Sequence, residues 1–431
     1  MGTTMANHAS GGLPMAPAGQ DVPKPGGQSG GGGRLPNILV ISPSGEVYDH
    51  DCVRWYSKSP NHLDNYHNIG DAFVFDSALK LLDFDRLDVC DIKTIRPGDI
   101  DRYNAEYDYV FLRGSNYIHH HMDWENAEQV LSKLRIPVLA FGVGAQAPAV
   151  GKLQLPESGK RIWQLIGERS TTLGVRGAYT AEVLWEMGVR NLRIVGCPTA
   201  FRSNDPEMRI DLPSLEAVKR VGVTVRREVS VEYSPDIELY LTRHRDIIKA
   251  MAARFDTQLM MQGEVEEKKL LWGNAEQKAQ AWESLKHDER CAKWFFDAEI
   301  EKLYADKLFY SDAVADYEAL VRRKDLVLGY RLHGNLMALA NRVPSIYFVY
   351  DSRTAEFRDT FDIPSYDVYA EREFVLEEYW NQSLFERFNR AYYMRYRDMR
   401  DFLDENGIRH AMRYSRRYVK GTAPAAAPVA A

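Results

Sequence analysis

Two series of short apolar runs, each run followed by a helical pattern, predict an α/β fold of two Rossmann-like domains facing each other across a cleft. Three observations carry this expectation. The first series lies at 37–42, 87–92, 107–112, 138–143, 173–176 and 192–196, and the second at 220–225, 258–261, 326–330 and 345–350. Such alternation suits a parallel sheet, whose neighbouring strands are joined by crossover helices. A polar stretch with Pro206 and Pro213 breaks the rhythm between the series. Finally, several runs end in cations and glycines, at the carboxyl ends where open α/β sheets bind ligands.

Composition sets the boundaries. Residues 1–35 are mostly Gly, Pro, Ser and Ala, ending in Gly30-Gly31-Gly32-Gly33, and 421–431 read the same way. Such segments bury too little to offset their ordering entropy, so both are expected to be disordered. Between them we expect an N-terminal Rossmann-like domain over 36–205 and a C-terminal one over 218–373. Residues 264–306, rich in Lys, Glu, Ala and Trp at helical spacing, read as a helical insertion with an apolar underside. From 374 to 418 the pattern is helical again, with Tyr379, Trp380, Phe385, Phe388, Tyr392, Tyr393 and Tyr396 among arginines. A C-terminal helix crossing back onto the first domain would pack such an aromatic stripe.

The 431 residues, 45% of them hydrophobic, suffice for two cores. A formal net charge of -6 offers no global basic field, which excludes nucleic acid as an expected partner. Cys52, Cys90, Cys197 and Cys291 form no CxxC pair and suit a reducing compartment. The longest apolar run, 136–145, is too short to span a bilayer. No cationic start leading into an apolar stretch marks a secretory signal, and Ala6 stands where a myristoylation site wants Ser or Thr. The expected location is cytoplasmic, with the inner face of the membrane left open.

The most informative stretch is Gly329-Tyr330-Arg331-Leu332-His333-Gly334-Asn335, between the strand-like Leu326-Val327-Leu328 and the helical Leu336-Met337-Ala338-Leu339-Ala340. A helix start offers free N–H groups and a favourable dipole to an anion. Arg331 adds a planar fork suited to carboxylate or phosphate, and His333 a proton donor near neutral pH. An isolated Arg-x-His is more often an ion pair beside a packed core histidine; similar groups at other strand ends raise its weight. Asn68-Ile69-Gly70-Asp71 opens another helix, where Asn68 and Asp71 either cap it or face the cleft. Arg113-Gly114-Ser115-Asn116, Phe141-Gly142-Val143-Gly144, Val175-Arg176-Gly177 and Tyr350-Asp351-Ser352-Arg353 complete the strand-end set.

In order and spacing these pieces resemble the polysaccharide pyruvyl transferases. Asn68-Ile69-Gly70-Asp71 is similar to the family's N-x-GD helix entry, and the strand through Phe141-Gly142-Val143-Gly144 to its central strand. Leu173-Gly174-Val175-Arg176 is similar to its S-V-R-D segment, and Val195-Gly196-Cys197-Pro198-Thr199 to its G-x-P segment. The Arg331–His333 stretch resembles its most specific motif, with Val343-Pro344 and Tyr350-Asp351 following at family spacing. The likeness runs over about 37–370. Two departures stand out: Arg113-Gly114-Ser115 replaces a Gly-Gly-Gly loop, and Gly177 stands where the S-V-R-D segment has Asp.

The resemblance implies a two-Rossmann, GT-B-like fold. It implies phosphoenolpyruvate as donor and a sugar diol of a polysaccharide or its precursor, lipid-linked or not, as acceptor. The products would be a cyclic pyruvate ketal and phosphate, with no cofactor or metal. Carried over residue by residue, Asn68, Gly144, Arg176, Arg331, Leu332, His333 and Arg353 become substrate-binding positions. His333 is the expected acid, Arg331 a charge stabiliser and Asp71 a weaker candidate for the hydroxyl base. Two rivals use the same scaffold: a nucleotide-sugar glycosyltransferase, with Glu264 or Glu266 on the ribose, and a catalytically silent glycan-binding protein. His119-His120-His121 with Asp123 invites a metal reading, but consecutive side chains do not converge on one point. The basic aromatic C-terminal helix permits peripheral contact with an anionic leaflet, although core packing explains it equally well.

Overall fold

The computed structural model describes residues 34–41, 46–49, 52–55, 63–66, 68–90, 96–120, 127–147, 149–231 and 233–415. Apart from Arg34 and Leu35, the tails expected to be disordered lie outside the described residues. In the first half the strands are β1 (Ile38–Ile41), β2 (Glu46–Asp49), β3 (Cys52–Trp55), β4 (Leu87–Cys90), β5 (Tyr109–Arg113), β6 (Val138–Phe141), β7 (Leu173–Val175) and β8 (Leu192–Ile194). The second half adds β9 (Arg220–Thr224), β10 (Asp256–Met260), β11 (Leu308–Phe309), β12 (Leu326–Gly329), β13 (Ser345–Val349) and β14 (Ser365–Asp367).

Strands β4-β1-β5-β6 pair in parallel in that order, and a bridge between Val143 and Val175 leads on to the parallel pair β7-β8. The second sheet, also parallel, runs β11-β10-β9-β12-β13-β14. Strand order reverses between β1 and β5 and between β9 and β12, which puts a ligand crevice at the carboxyl ends of each pair. The expected pair of Rossmann-like sheets is therefore present. Every residue of β1, β5, β6, β12 and β13 is buried, because helices cover both faces of a parallel sheet.

The sequence reading passed over β2, β3, β11 and β14. The β2-β3 pair is an antiparallel hairpin outside the parallel rhythm. Strand β11 has two residues, and β14 is an edge strand whose only buried residue is Tyr366. Short edge pieces lack the continuous apolar run that marks a covered strand.

Between β10 and β11 come four helices: Val265–Trp272, Ala275–His287, Glu289–Trp294 and Ala298–Lys307. Asn274, Asp288 and Asp297 cap three of them with side-chain oxygens on free N–H groups. The long Gln382–Glu405 helix buries Phe385, Phe388, Tyr392, Tyr396 and Phe402. Its rings meet the first half: Tyr392 and Tyr396 lie 5.7 and 5.8 Å from Phe201, and Phe402 lies 6.0 Å from Phe141. The chain then returns to the first half, where the Ala411 N–H donates to the Leu81 carbonyl at 2.8 Å. The aromatic stripe is thus spent on packing. No helix among the described residues is long and apolar enough to cross a membrane.

A buried ion network ties the halves behind the cleft. Arg202 pairs with Asp76, from the Ile69–Leu81 helix, and with Glu318 at 2.7 Å, from the Val314–Val321 helix. Burial pushes the Glu318 carboxyl up, but hydrogen bonding and charge from Arg202, with Lys80 adding, outweigh it and hold the group at about 2. A carboxyl depressed in the folded state stabilises it above the ordinary carboxylate range and loses that contribution as pH falls towards the folded value. Glu318→Gln is therefore expected to lower the melting temperature at pH 6, with the gap to the parent narrowing between about pH 4.5 and pH 2. Melting curves across that range check it; a gap independent of pH would refute the assignment.

Candidate active site

Each half contributes a helix N-terminus to the cleft. Asn68 is the N-cap of the Ile69–Leu81 helix, its Oδ1 accepting from the Gly70 N–H at 3.1 Å. Arg331 is the N-cap of the Leu332–Ala340 helix, which puts His333 in that helix's first turn. The two starts touch. A Cβ built on Gly70 would lie 3.2 Å from His333 Nδ1, and the Ile69 N–H donates to the Gln262 carbonyl at the end of the second sheet at 2.9 Å.

Asp71 both supports the helix entry and borders the cleft. Its carboxylate accepts from Asn68 Nδ2 at 3.4 Å and Ser115 Oγ at 3.0 Å, and lies 3.7 Å from Arg113 Nη1. Its side chain is 19% exposed. Arg113 and Ser115, from the loop where the sequence departs from the Gly-Gly-Gly pattern, thus orient Asp71 from the end of β5.

Arg176 follows β7, with Nε donating to Glu356 Oε2 at 2.8 Å and Nη2 to the Ala145 carbonyl at 2.7 Å. Gly144 is what lets it lie there: a Cβ at 144 would stand 2.1 Å from the guanidinium carbon. Gly144 therefore acts by giving Arg176 room. The Phe357 ring lies under the Arg176 guanidinium at 5.0 Å and meets the His333 ring edge-on at 6.0 Å.

His333 makes no hydrogen bond among the described residues. Burial, then the charges of Arg176, Arg353 and Arg113, drive its imidazole down to about 3, so it is neutral in the unliganded protein. Arg353, just after β13, is held by Asp351, with Nε donating at 2.8 Å and Nη2 at 2.6 Å. Arg353 and Arg226 share the Tyr233 ring, their guanidinium carbons 5.4 and 5.1 Å from its centroid, and Arg226 donates to Tyr350 Oη at 2.7 Å.

Arg331 is placed differently from the open fork expected of it. Its Nε donates to the Val225 carbonyl at 3.0 Å, Nη1 to Tyr66 Oη at 2.7 Å, and Nη2 to Glu264. A guanidinium has five N–H donors, so at most two stay available to a ligand. Leu332 contributes its backbone, the carbonyl accepting from Tyr347 Oη at 2.9 Å, while its side chain packs on the core. Glu264, offered by the rival reading as a ribose partner, is 0% exposed and committed to Arg331; Glu266 binds Arg227 at 2.6 Å.

The structure thus gathers His333, Arg176, Arg353 and Asp71 at one cleft, with Asn68 and Gly144 as their supports, and sets the Arg331 fork against Glu264. Sequence reasoning passed over Arg226 and Glu356, and gave Arg113 little weight. Arg226 and Arg113 obey the rule that found the others, a cation closing a strand. Glu356 lies inside a helix, where no local signal marks it. Of the histidine run, His119 and His120 are described, while His121 and Asp123 lie outside the described residues. No group of three His, Cys, Asp or Glu that could hold a metal occurs among the described residues.

The family profile "Polysaccharide pyruvyl transferase" matches residues 68–352. The chain belongs to the polysaccharide pyruvyl transferase family. That span holds every predicted site residue except Arg353, which follows its last position. The pyruvyl transferase resemblance drawn from the motifs is thereby established for the chain. The search of curated proteins found no match.

Among solved structures, a putative UDP-N-acetylglucosamine 2-epimerase from Listeria monocytogenes is similar at 12% identity, covering 83% of this chain and 91% of that one, with a TM-score of 0.40. The S. aureus MnaA structure with UDP is similar at 13% identity over 83% and 91%, with a TM-score of 0.38. The wall teichoic acid polymerase TagF, as its H444N variant, is similar at 12% identity over 87% and 85%, with a TM-score of 0.33. Likenesses this loose leave the fold to be read from the chain's own sheet order.

Proposed function

We propose that this pyruvyl transferase takes phosphoenolpyruvate as donor and forms a cyclic pyruvate ketal on a sugar diol of a polysaccharide or its precursor. The observation that carries the reading is the convergence of Arg176 and Arg353 on a neutral His333 between two helix N-termini. Phosphoenolpyruvate brings a carboxylate and a phosphate on one small carbon skeleton, and such a donor needs several cations close together. The commitment of Glu264 and Glu266 to protein arginines disfavours a nucleotide sugar, whose ribose would need a free acceptor.

In the proposed sequence a proton is delivered to the donor methylene carbon, and positive character develops at the carbon bearing phosphate. One sugar hydroxyl adds there and gives up its proton, which balances the first step. The bond to the phosphate oxygen then breaks, and the second hydroxyl closes the ring, its proton leaving with phosphate. His333 is the proposed acid, protonated once the donor anion offsets the three arginine charges. Arg176 and Arg353, with the remaining donors of Arg331, hold carboxylate and phosphate. Asp71 is the proposed acceptor of a hydroxyl proton. The buried free thiols Cys197 and Cys291 suit a cytoplasmic location.

Calorimetric titration tests the donor. Saturable binding of phosphoenolpyruvate, no response to a uridine-diphosphate sugar, and slow turnover with intact donor binding in Asp71→Asn are expected. Nucleotide-sugar binding without phosphoenolpyruvate binding would replace this reading with the glycosyltransferase one.

A further inference from the structure

We propose that Glu356 is the positioning residue for Arg176, supplied by the second half of the molecule in place of a carboxylate beside Arg176 in sequence. The inference rests on the donor reading above.

Glu356 belongs to the Ser352–Phe361 helix, and its side chain is 1% exposed. One carboxylate oxygen accepts from Arg176 Nε at 2.8 Å, and the other from the Thr180 N–H at 2.7 Å, in the first turn of the Ala178–Glu186 helix. With Nη2 held by the Ala145 carbonyl, two sides of the guanidinium are fixed and Nη1 is left without a hydrogen bond among the described residues. That free edge is the one a donor anion can take. The Phe357 ring, next in sequence to Glu356, closes the face of the guanidinium and also meets His333. Glu356 and Phe357 together therefore set the cation relative to the imidazole.

Gly177 makes this geometry possible. A Cβ at 177 would stand 2.4 Å from Glu356 Cγ and 2.5 Å from Thr360 Oγ1. Gly177 has extended backbone (φ -164°) that any residue adopts, so the glycine is needed for space alone. Position 177 is where the S-V-R-D pattern carries its Asp. Here the carboxylate instead arrives from 180 residues beyond Arg176. Placement of the donor cation consequently depends on the two halves being closed on each other, as they also are where the Ala147 N–H donates to Ser352 Oγ at 2.9 Å.

The test compares phosphoenolpyruvate affinity, turnover and melting temperature in four proteins. They are the parent, Glu356→Ala, and that change combined with Gly177→Asp or with Gly177→Ser, both combinations also carrying Thr360→Ala to clear the hydroxyl that a Cβ at 177 would otherwise meet. Both added side chains can cap the 178–186 helix, but only Asp carries a charge for Arg176. A misplaced guanidinium is expected to cost Glu356→Ala on the order of 10²-fold in kcat/KM. The Gly177→Asp combination should regain at least about tenfold of this together with donor affinity. The Gly177→Ser combination should regain melting temperature only. Equal recovery by Ser and Asp, no recovery by Asp in a folded protein, or a parental kcat/KM in Glu356→Ala would each overturn the proposal. If Glu356→Ala alone does not fold, the two combinations carry the comparison, and failure of both to bind donor counts against it. Absence of phosphoenolpyruvate binding in the parent would instead bring down the donor reading, so the two failures are told apart.

Discussion

His333→Gln is expected to lower turnover by roughly 10²–10⁴-fold while changing donor affinity far less, because it removes the proton donor and keeps a polar group of similar reach. The environment of His333 makes the claim sharper than simple loss of activity. The imidazole is held at about 3 by burial and by Arg176, Arg353 and Arg113, so it enters the cycle uncharged. A donor anion seated among those same arginines offsets the charges that disfavour the imidazolium, and the folded-state value must rise on binding. Linkage then fixes the sign: a group whose affinity for a proton rises on binding takes one up, and binding weakens as pH climbs through the liganded value. The donor phosphate, whose second pKa is about 6, itself releases protons on meeting arginines, so titrations at pH 6.5 in buffers of different ionisation enthalpy should show more proton uptake by the parent than by His333→Gln. Near-parental turnover in the variant, or the same proton balance in both proteins, would remove His333 from the acid role.

Arg331→Ala is expected to be costly in a different currency, stability. Glu264 has no exposed surface, and among the described residues it accepts, apart from Arg331, only the Gln262 and Gly263 N–H groups at 3.3 and 3.2 Å. Deleting one partner of a buried pair strands the other charge and typically costs about 3–5 kcal/mol, a large share of a usual stability of about 5–15 kcal/mol. The variant should melt well below the parent whether or not donor is present. Arg331→Met combined with Glu264→Met removes both charges and is expected to regain most of that loss, since buried pairs are often replaceable by apolar residues. What donor binding the double variant retains measures how much the last N–H donors of Arg331 contribute. If Arg331→Ala melted like the parent, the Glu264 pairing would be wrong.

The contrast between these two residues shows how far sequence reasoning reached. Arg331 and His333 stand two positions apart, and sequence alone makes them one anion site. The helix start separates them: Arg331 as N-cap turns back along Val225 towards Glu264, and His333 in the first turn points at Gly70 and Phe357. Asn68 shows the opposite case. A short amide side chain before an apolar helix caps it through a contact two residues away, so local chemistry was enough. Gly144 lies between. A glycine at a strand end announces close approach, but that the approaching group is Arg176, 32 positions on, is not written locally.

What the sequence determined by itself is whatever depends on neighbours along the chain. Continuous apolar runs located the covered parallel strands, capping residues located helix starts, and cations after strands located most of the cleft. These signals survive because burial of both sheet faces and satisfaction of free N–H groups are demands each segment must meet on its own. Only the tertiary structure decided which carboxylate meets which arginine. The Arg331–Glu264 contact joins residues 67 apart and the Arg176–Glu356 contact residues 180 apart. Either arginine had several acidic residues within chemical reason. Packing made the choice: the order of the second sheet sets Arg331 beside Glu264, and the contact between the two halves sets Arg176 beside Glu356.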